Sequence, residues 1–187
     1  NGKAEFLHLF PVEKLFKRFL FSSIAKYKEF LVFAPESAEH ICIYNTDSGE
    51  FITKEIPAPS ACRGYQPNFK FGAVIFFEGC FFFIPQTYPA VIKMKALSWE
   101  LDYLNEWVTE EAFCFKKGYS LYKNFVTIPS ALSDMMLKLD MAAGRAIIER
   151  AGWEKEEKGA WTLCENEKEC WAISYPDSHI LCTNKGT

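Results

Sequence analysis

The feature that most constrains this chain is an internal repeat. An apolar run, a proline or serine anchor, a short polar gap and a second apolar run recur four times along the 187 residues. The anchors, at steps of 50, 44 and 45 residues, are Pro35, Pro85, Pro129 and Ser174. Six positions after the anchors stand the apolar residues Ile41, Val91, Met135 and Ile180. A period of about 20–50 residues is typical of folds in which each copy is one structural unit stacked on the next.

Each copy divides into four short predicted strands, and the second strand ends at the anchor. A proline suits a strand end because it has no N–H to donate to a neighbouring strand. The second strands are almost continuously apolar, as in the Phe-Phe-Phe-Ile run at residues 81–84. Such a run is typical of a strand with both faces covered, whereas a two-layer sandwich would show alternation. The pattern therefore predicts an all-β fold, a small β-propeller of about four four-stranded blades.

The predicted blades cover residues 21–57, 69–108, 113–151 and 159–187 of a single domain spanning 1–187. The opening segment, residues 4–10, reads as a fourth strand without a blade, and the closing segment reads as a blade without a fourth strand. We therefore predict that strand 4–10 pairs with the C-terminal blade and closes the propeller, which would remove exposed strand edges. Residues 133–152 leave an alternative open, because their Met, Ala, Leu and Glu content also suits a single helix.

In blade length and strand layout, the chain resembles the β-propeller repeat proteins of the kelch and WD-repeat type. It lacks their diagnostic motifs, since it has no Gly-His…Trp-Asp pair and no Gly-Gly before a Tyr and Trp pattern. In size and blade number it is similar to the four-bladed hemopexin-like domains, again without their motifs. The resemblance implies the architecture and transfers no functional residue.

Charge, cysteine content and hydropathy exclude several classes of partner. The formal net charge of −3 lacks the basic character expected of a nucleic-acid-binding protein. The longest apolar stretch, residues 73–85, is far shorter than the roughly 20 residues that cross a bilayer, so we expect no membrane partner. Seven cysteines, an odd number without paired spacing, favour reduced thiols and a cytoplasmic location. This localisation assumes that no signal peptide has been removed.

Motifs for catalysis and cofactor binding are missing from the sequence. There is no phosphate-binding GxxxxGK[ST] loop, no GxGxxG turn, no GxSxG elbow and no paired Cys or His at zinc-ligand spacing. We therefore expect no metal and no cofactor. Catalytic activity stays uncertain, and its absence is the favoured interpretation.

The residues that follow the second strands are the predicted ligand-binding site. They differ between copies while the strands repeat, as expected for a specialised surface on a repeated scaffold. The candidates are Glu36, Gln86, Tyr88, Ser130 and Tyr175. The favoured function is a non-catalytic module that binds a protein or a small-molecule or glycan ligand, as a monomer or homodimer. One alternative is a glycan-acting hydrolase or lyase with its site at the channel mouth, the open end of the central channel that a propeller encloses. The other is half of a larger propeller assembled by dimerisation.

Overall fold

The computed structural model describes residues 19–59, 64–108, 114–115, 117–130, 133–151, 160–174 and 179–184. These residues form fifteen strands in four antiparallel sheets and contain no helix. Sheet 1 contains β1 Phe21–Tyr27, β2 Phe30–Pro35, β3 His40–Asn45 and β4 Phe51–Glu55. Sheet 2 contains β5 Phe71–Phe77, β6 Cys80–Pro85, β7 Val91–Lys95 and β8 Leu101–Leu104. Sheet 3 contains β9 Ser120–Tyr122, β10 Phe125–Pro129, β11 Met135–Asp140 and β12 Arg145–Arg150, and sheet 4 contains β13 Ala160–Glu165, β14 Glu169–Ser174 and β15 Ile180–Asn184.

Tight turns join the first and second strands of sheets 1, 2 and 3. Two residues separate the paired strand ends in each case, and the first of them has a positive φ: Lys28, Glu78 and Lys123. Turns of this shape match the right-handed twist of the strands that they join. In sheet 2 the second turn residue is Gly79, with φ of 79°, a conformation that a glycine adopts without steric cost.

The register of the second and third strands is the same in all four sheets. The first residue of the second strand pairs with the residue fifteen positions later: Phe30 with Asn45, Cys80 with Lys95, Phe125 with Asp140 and Glu169 with Asn184. By this register Ser130, not Pro129, occupies the position of Pro35 and Pro85. The alignment of the third repeat on its proline is therefore shifted by one residue, because β10 ends one residue earlier than β2 and β6.

Three apolar layers lie between successive sheets. The layer between sheets 1 and 2 includes Val32, Ile43, Phe81 and Phe83, which are fully buried. The next layer joins Phe82 and Ile84 of sheet 2 to sheet 3, and a smaller one joins sheets 3 and 4. Consecutive residues of β6 thus face opposite neighbours, which explains its continuous apolar run.

The predicted all-β propeller architecture is confirmed. The first strands of neighbouring sheets, β1 with β5 and β9 with β13, lie against each other, as expected for sheets arranged radially with the first strand innermost. Residues 133–152 do not form the alternative helix, since β11 and β12 occupy 135–150. Sheet 4 has three strands among the described residues. The predicted closing strand, 4–10, lies outside the described residues, and the blade boundaries and the single domain stay predictions.

Candidate binding face

The loops after the second strands and the segments that lead into the first strands lie at one end of the sheets. In sheet 1, Pro35 at the end of β2 pairs with Phe21 at the start of β1, and in sheet 2, Pro85 pairs with Phe71. We call this end the connection end, because the segments that join one sheet to the next also reach it. The four described residues of the predicted site belong to this end: Glu36, Gln86, Tyr88 and Ser130.

A repeated set of hydrogen bonds fixes the backbone at the connection end. In sheet 1 the Glu36 N–H donates to the Leu20 carbonyl at 2.8 Å, and the Ser37 hydroxyl donates to the Phe19 carbonyl at 3.0 Å. In sheet 2 the equivalent donors are the Gln86 N–H, to the Lys70 carbonyl at 2.8 Å, and the Thr87 hydroxyl, to the Phe69 carbonyl at 2.8 Å. The segment before each of these first strands is therefore held rigidly to the loop after the second strand.

A second repeated contact joins each sheet to the next one. The Lys70 N–H donates to the Glu36 carbonyl at 3.0 Å, and the Phe115 N–H donates to the Gln86 carbonyl at 2.8 Å. The Lys70 ammonium also donates to the Pro67 carbonyl at 2.6 Å and to the Ser37 carbonyl at 3.4 Å. The loop residues Glu36 and Gln86 thus position neighbouring sheets through their backbone.

The Glu36 carboxylate forms an ion pair with the segment before β9. Its side chain is 2% exposed, and Lys117, 53% exposed, places its ammonium 2.7 Å from one carboxylate oxygen and 2.8 Å from the other. The same segment passes Gly72 of sheet 2, where a Cβ would stand 3.3 Å from the Gln86 side chain and 3.4 Å from the Lys117 Cα. The absence of a side chain at Gly72 lets the Lys117 backbone pass close to β5.

The structure brings Glu36, Gln86 and Tyr88 together around the Lys70 backbone, and Ser130 lies in the next sheet. Ser130 is buried in sheet 3, where its backbone bridges to Phe115 and its hydroxyl lies 3.2 Å from that of Ser133. Tyr175 lies outside the described residues. All four described candidates are buried, and their role in ligand binding stays a prediction.

Tyr88 is a packing residue at the connection end. Its ring contacts those of Tyr65 and Phe71, and its hydroxyl donates to the Pro57 carbonyl at 3.0 Å. Burial, followed by the nearby Tyr103 and Tyr65 hydroxyls, raises the pKa of Tyr88 above its ordinary value of 10.0. This side chain therefore joins the segment after β4 to sheet 2.

The exposed aromatic side chains at the connection end precede the first strands. Phe19 is 70% exposed and Phe69 is 45% exposed. They occupy the same repeat position, two residues before β1 and β5, and the Lys117 ammonium lies 5.9 Å from the centre of the Phe19 ring. The sequence analysis missed both residues, although their separation of 50 residues is the step that also separates Pro35 and Pro85.

A shallow groove of about 320 Å³ lies at the opposite end, on the face of sheet 3 that is directed toward sheet 4. Two residues on the same face of sheet 3 show that this face is directed toward sheet 4. Thr127 forms a hydrogen bond with Glu165, and Met136 packs in the apolar layer between sheets 3 and 4. The groove is lined by Phe125, Lys138, Asp140, Ala143, Arg145, Ile147 and Glu149. An ion pair of 2.5 Å between Lys138 and Glu149 crosses it.

Within the described part of the chain, no group of three or more His, Cys, Asp or Glu side chains is arranged to hold a metal ion. The same residues contain no helix with the length and hydropathy required to span a bilayer.

Comparison with known proteins places the fold among β-propellers. The computationally designed Ika4 protein is similar over 89% of this chain and 91% of its own, with a TM-score of 0.57 and 11% identity. The Cps50 (Swd1) β-propeller domain from Myceliophteria thermophila is similar over 89% of this chain and 51% of its own, with a TM-score of 0.58 and 9% identity. The structure of YCF48 bound to D1 peptide is similar over 88% and 49%, with a TM-score of 0.58 and 11% identity.

The chain spans about half the length of the last two structures, and at these identities the likeness shows the fold alone. No protein-family model matches the chain, and no curated protein matches it.

Proposed function

We propose that the chain is a protein-binding module that takes a peptide segment of its partner at the connection end. The observation that carries this proposal is the pair of exposed aromatic side chains, Phe19 and Phe69, on a backbone held by repeated hydrogen bonds. Exposed aromatic side chains on a rigid support supply contact area with little loss of entropy, and aromatic residues, phenylalanine included, are enriched at the cores of protein interfaces.

The chemistry of the face suits a segment with an apolar side chain beside a carbonyl group. Phe19 and Phe69 offer apolar surface, and the half-exposed Lys117 ammonium has a third N–H donor besides those that face Glu36. The likeness to YCF48, whose structure contains a bound peptide, supports the compatibility of this fold with peptide binding. The proposed location of the protein is cytoplasmic.

No observation favours the glycan-acting enzyme. That alternative needs several convergent titratable groups at the channel mouth, and glycoside hydrolysis generally requires two carboxyl groups at a defined separation. The Glu36 carboxylate is buried against Lys117.

The proposal is tested by selecting peptides from a phage-displayed random library on the purified chain and measuring their affinity by fluorescence polarisation. We expect Phe19→Ala and Phe69→Ala each to weaken binding at least tenfold. Leu97→Ala is the matched control, because Leu97 is 51% exposed in the turn between β7 and β8, at the opposite end. Failure to select any peptide, equal affinity in all three variants, or binding to a glycan array without peptide binding would overturn the proposal.

A further inference from the structure

Sheet 4 presents an apolar face that no described residue covers completely. Trp171 pairs with Cys182 and Ile173 pairs with Ile180 across β14 and β15, so these four side chains share one side of the sheet. All four are exposed, Ile180 most of all at 74%. We call them the open face of sheet 4. Large apolar side chains grouped on one sheet face mark an interaction surface.

The equivalent face of sheet 1 shows what kind of structure covers such a surface. By the shared strand register, Trp171 and Cys182 correspond to Val32 and Ile43. Both of those residues are fully buried, in the layer that sheet 2 completes with Phe81 and Phe83. In sheet 1 this face is therefore covered by sheet 2, the next sheet along the chain, mainly through its second strand β6.

Sheet 1 carries the matching surface on its other side. The positions that Val74 and Phe81 occupy in sheet 2 correspond in sheet 1 to Ile24 and Leu31, by the shared pairing of the first two strands. Ile24 is 51% exposed and Leu31 is half-buried. Among the described residues, sheet 4 and sheet 1 thus carry one apolar face of each of the two complementary kinds.

We propose that the open face of sheet 4 binds sheet 1 of a second copy of this chain, and that two copies close into one ring. The row of four sheets superimposes on about half of a β-propeller domain, that of Cps50 (Swd1), so two such rows can complete a circle. Two identical head-to-tail contacts would then bury both kinds of face in both copies, because an interface of this type closes into a ring when its rotation allows. The proposal is independent of peptide binding at the connection end.

The test measures the mass of the 187-residue chain by light scattering during gel filtration across a hundredfold range of concentration. We expect a particle of twice the 21.5 kDa chain. Ile180→Asp and Ile24→Asp each place a charge in both contacts of the ring, and each variant should weaken the dimer at least tenfold. Leu97→Asp is the control and should remain dimeric, since Leu97 is equally exposed and lies in a turn away from both faces.

Mixing the two variants makes the test specific. The intact sheet 4 of the Ile24→Asp copy meets the intact sheet 1 of the Ile180→Asp copy, so the mixture should recover dimer that neither variant forms alone. Alkylation of Cys182 in the native state, followed by mass spectrometry, should be at least tenfold slower in the unsubstituted chain than in Ile180→Asp, and this second readout does not depend on gel filtration. A monomer at every concentration, a larger open-ended assembly, variants that dimerise like the control, or a mixture without recovery would overturn the proposal.

Discussion

Among single residues, Glu36 places a charged carboxylate in a buried position. A buried carboxylate is costly unless it is paired, and Lys117 from the segment before sheet 3 supplies the pairing cation. The contact therefore joins the loop after β2 to the segment before β9, and this segment also lies beside Gly72 of sheet 2.

Replacing Lys117 by Met should therefore destabilise the fold while retaining the bulk of the side chain. We expect a loss of about 1–3 kcal/mol in the free energy of unfolding, the cost of leaving a buried acceptor without its partner. The control is Lys95→Met, which breaks the 3.3 Å ion pair with Glu100 between two side chains that are both about two-thirds exposed. Exposed pairs contribute about 0–1 kcal/mol. Urea unfolding measures both variants, and equal small losses would contradict the structural role of the Glu36 pair.

Tyr88 supports a second prediction on single residues, one that depends on pH. Tyr88→Phe removes the hydrogen bond to the Pro57 carbonyl, and at neutral pH we expect it to lower the free energy of unfolding by about 0.5–1.5 kcal/mol. Since burial raises the pKa of the folded Tyr88 above 10.0, the contribution of its neutral hydroxyl is fully present below pH 10. It is lost as the pH rises from there toward the folded pKa.

The difference in stability between the unsubstituted chain and Tyr88→Phe should therefore shrink above pH 10. Equilibrium unfolding in urea between pH 7 and about 11 measures it. Tyr119→Phe, at an exposed tyrosine, is the control and should change stability by less than about 0.5 kcal/mol. A constant difference between the unsubstituted chain and Tyr88→Phe across this range would contradict the effect of burial.

At the scale of strands and sheets, much of the architecture follows from the sequence pattern. The continuous apolar run of β6 predicts burial on both faces. The structure confirms it, since Phe81 and Phe82 face different neighbouring sheets. The error in the third repeat has a physical cause as well. A proline has no N–H to donate to a neighbouring strand, so Pro129 marks the end of β10 and does not mark the register, which the pairing with β11 sets.

The candidate site was harder to predict than the strands. The described loop residues after the second strands lie at the connection end, and Glu36 and Gln86 are buried there because their backbone groups join neighbouring sheets. Phe19 and Phe69 are not among the predicted site residues, because an aromatic residue beside a strand is most often part of a core. Their exposure depends on how the chain enters each sheet, which is a three-dimensional property.

The fourth strand of sheet 4 is the subject of a prediction on strands, because the described part of this sheet does not contain it. Sheets 1 to 3 have four strands each, and the described part of sheet 4 has three. Residues 4–10, which lie outside the described part of the chain, are the proposed fourth strand. Burying one large apolar side chain contributes about 1.5–3 kcal/mol, so losing several such side chains would be a large part of the stability of a typical domain.

Deleting residues 1–10 should therefore lower the melting temperature well below that of the full chain, or cause aggregation. Differential scanning calorimetry and light scattering measure the two outcomes. A terminal segment without packing is dispensable, so an unchanged melting temperature without a change in particle mass would show that residues 4–10 complete no sheet.

At the scale of the whole molecule, the four described sheets lie side by side with their first strands innermost. This arrangement exposes the ends of the loops on one side, where Phe19, Phe69 and Lys117 are available to a partner. It also leaves the two outermost sheet faces with complementary apolar surfaces. Both proposals therefore rest on the same radial order of the sheets.

Nuclear Overhauser contacts in a perdeuterated sample with protonated aromatic rings and methyl groups test that order most directly. We expect cross-peaks between the rings of Tyr27 and Phe76, whose centres lie 4.5 Å apart across sheets 1 and 2. Within sheet 3 we expect contacts between the methyl groups of Ile128 and Leu137, which are paired across β10 and β11. Helical contacts over residues 133–151, a pairing in sheet 3 displaced by one residue, or no contact between Tyr27 and Phe76 would contradict the account.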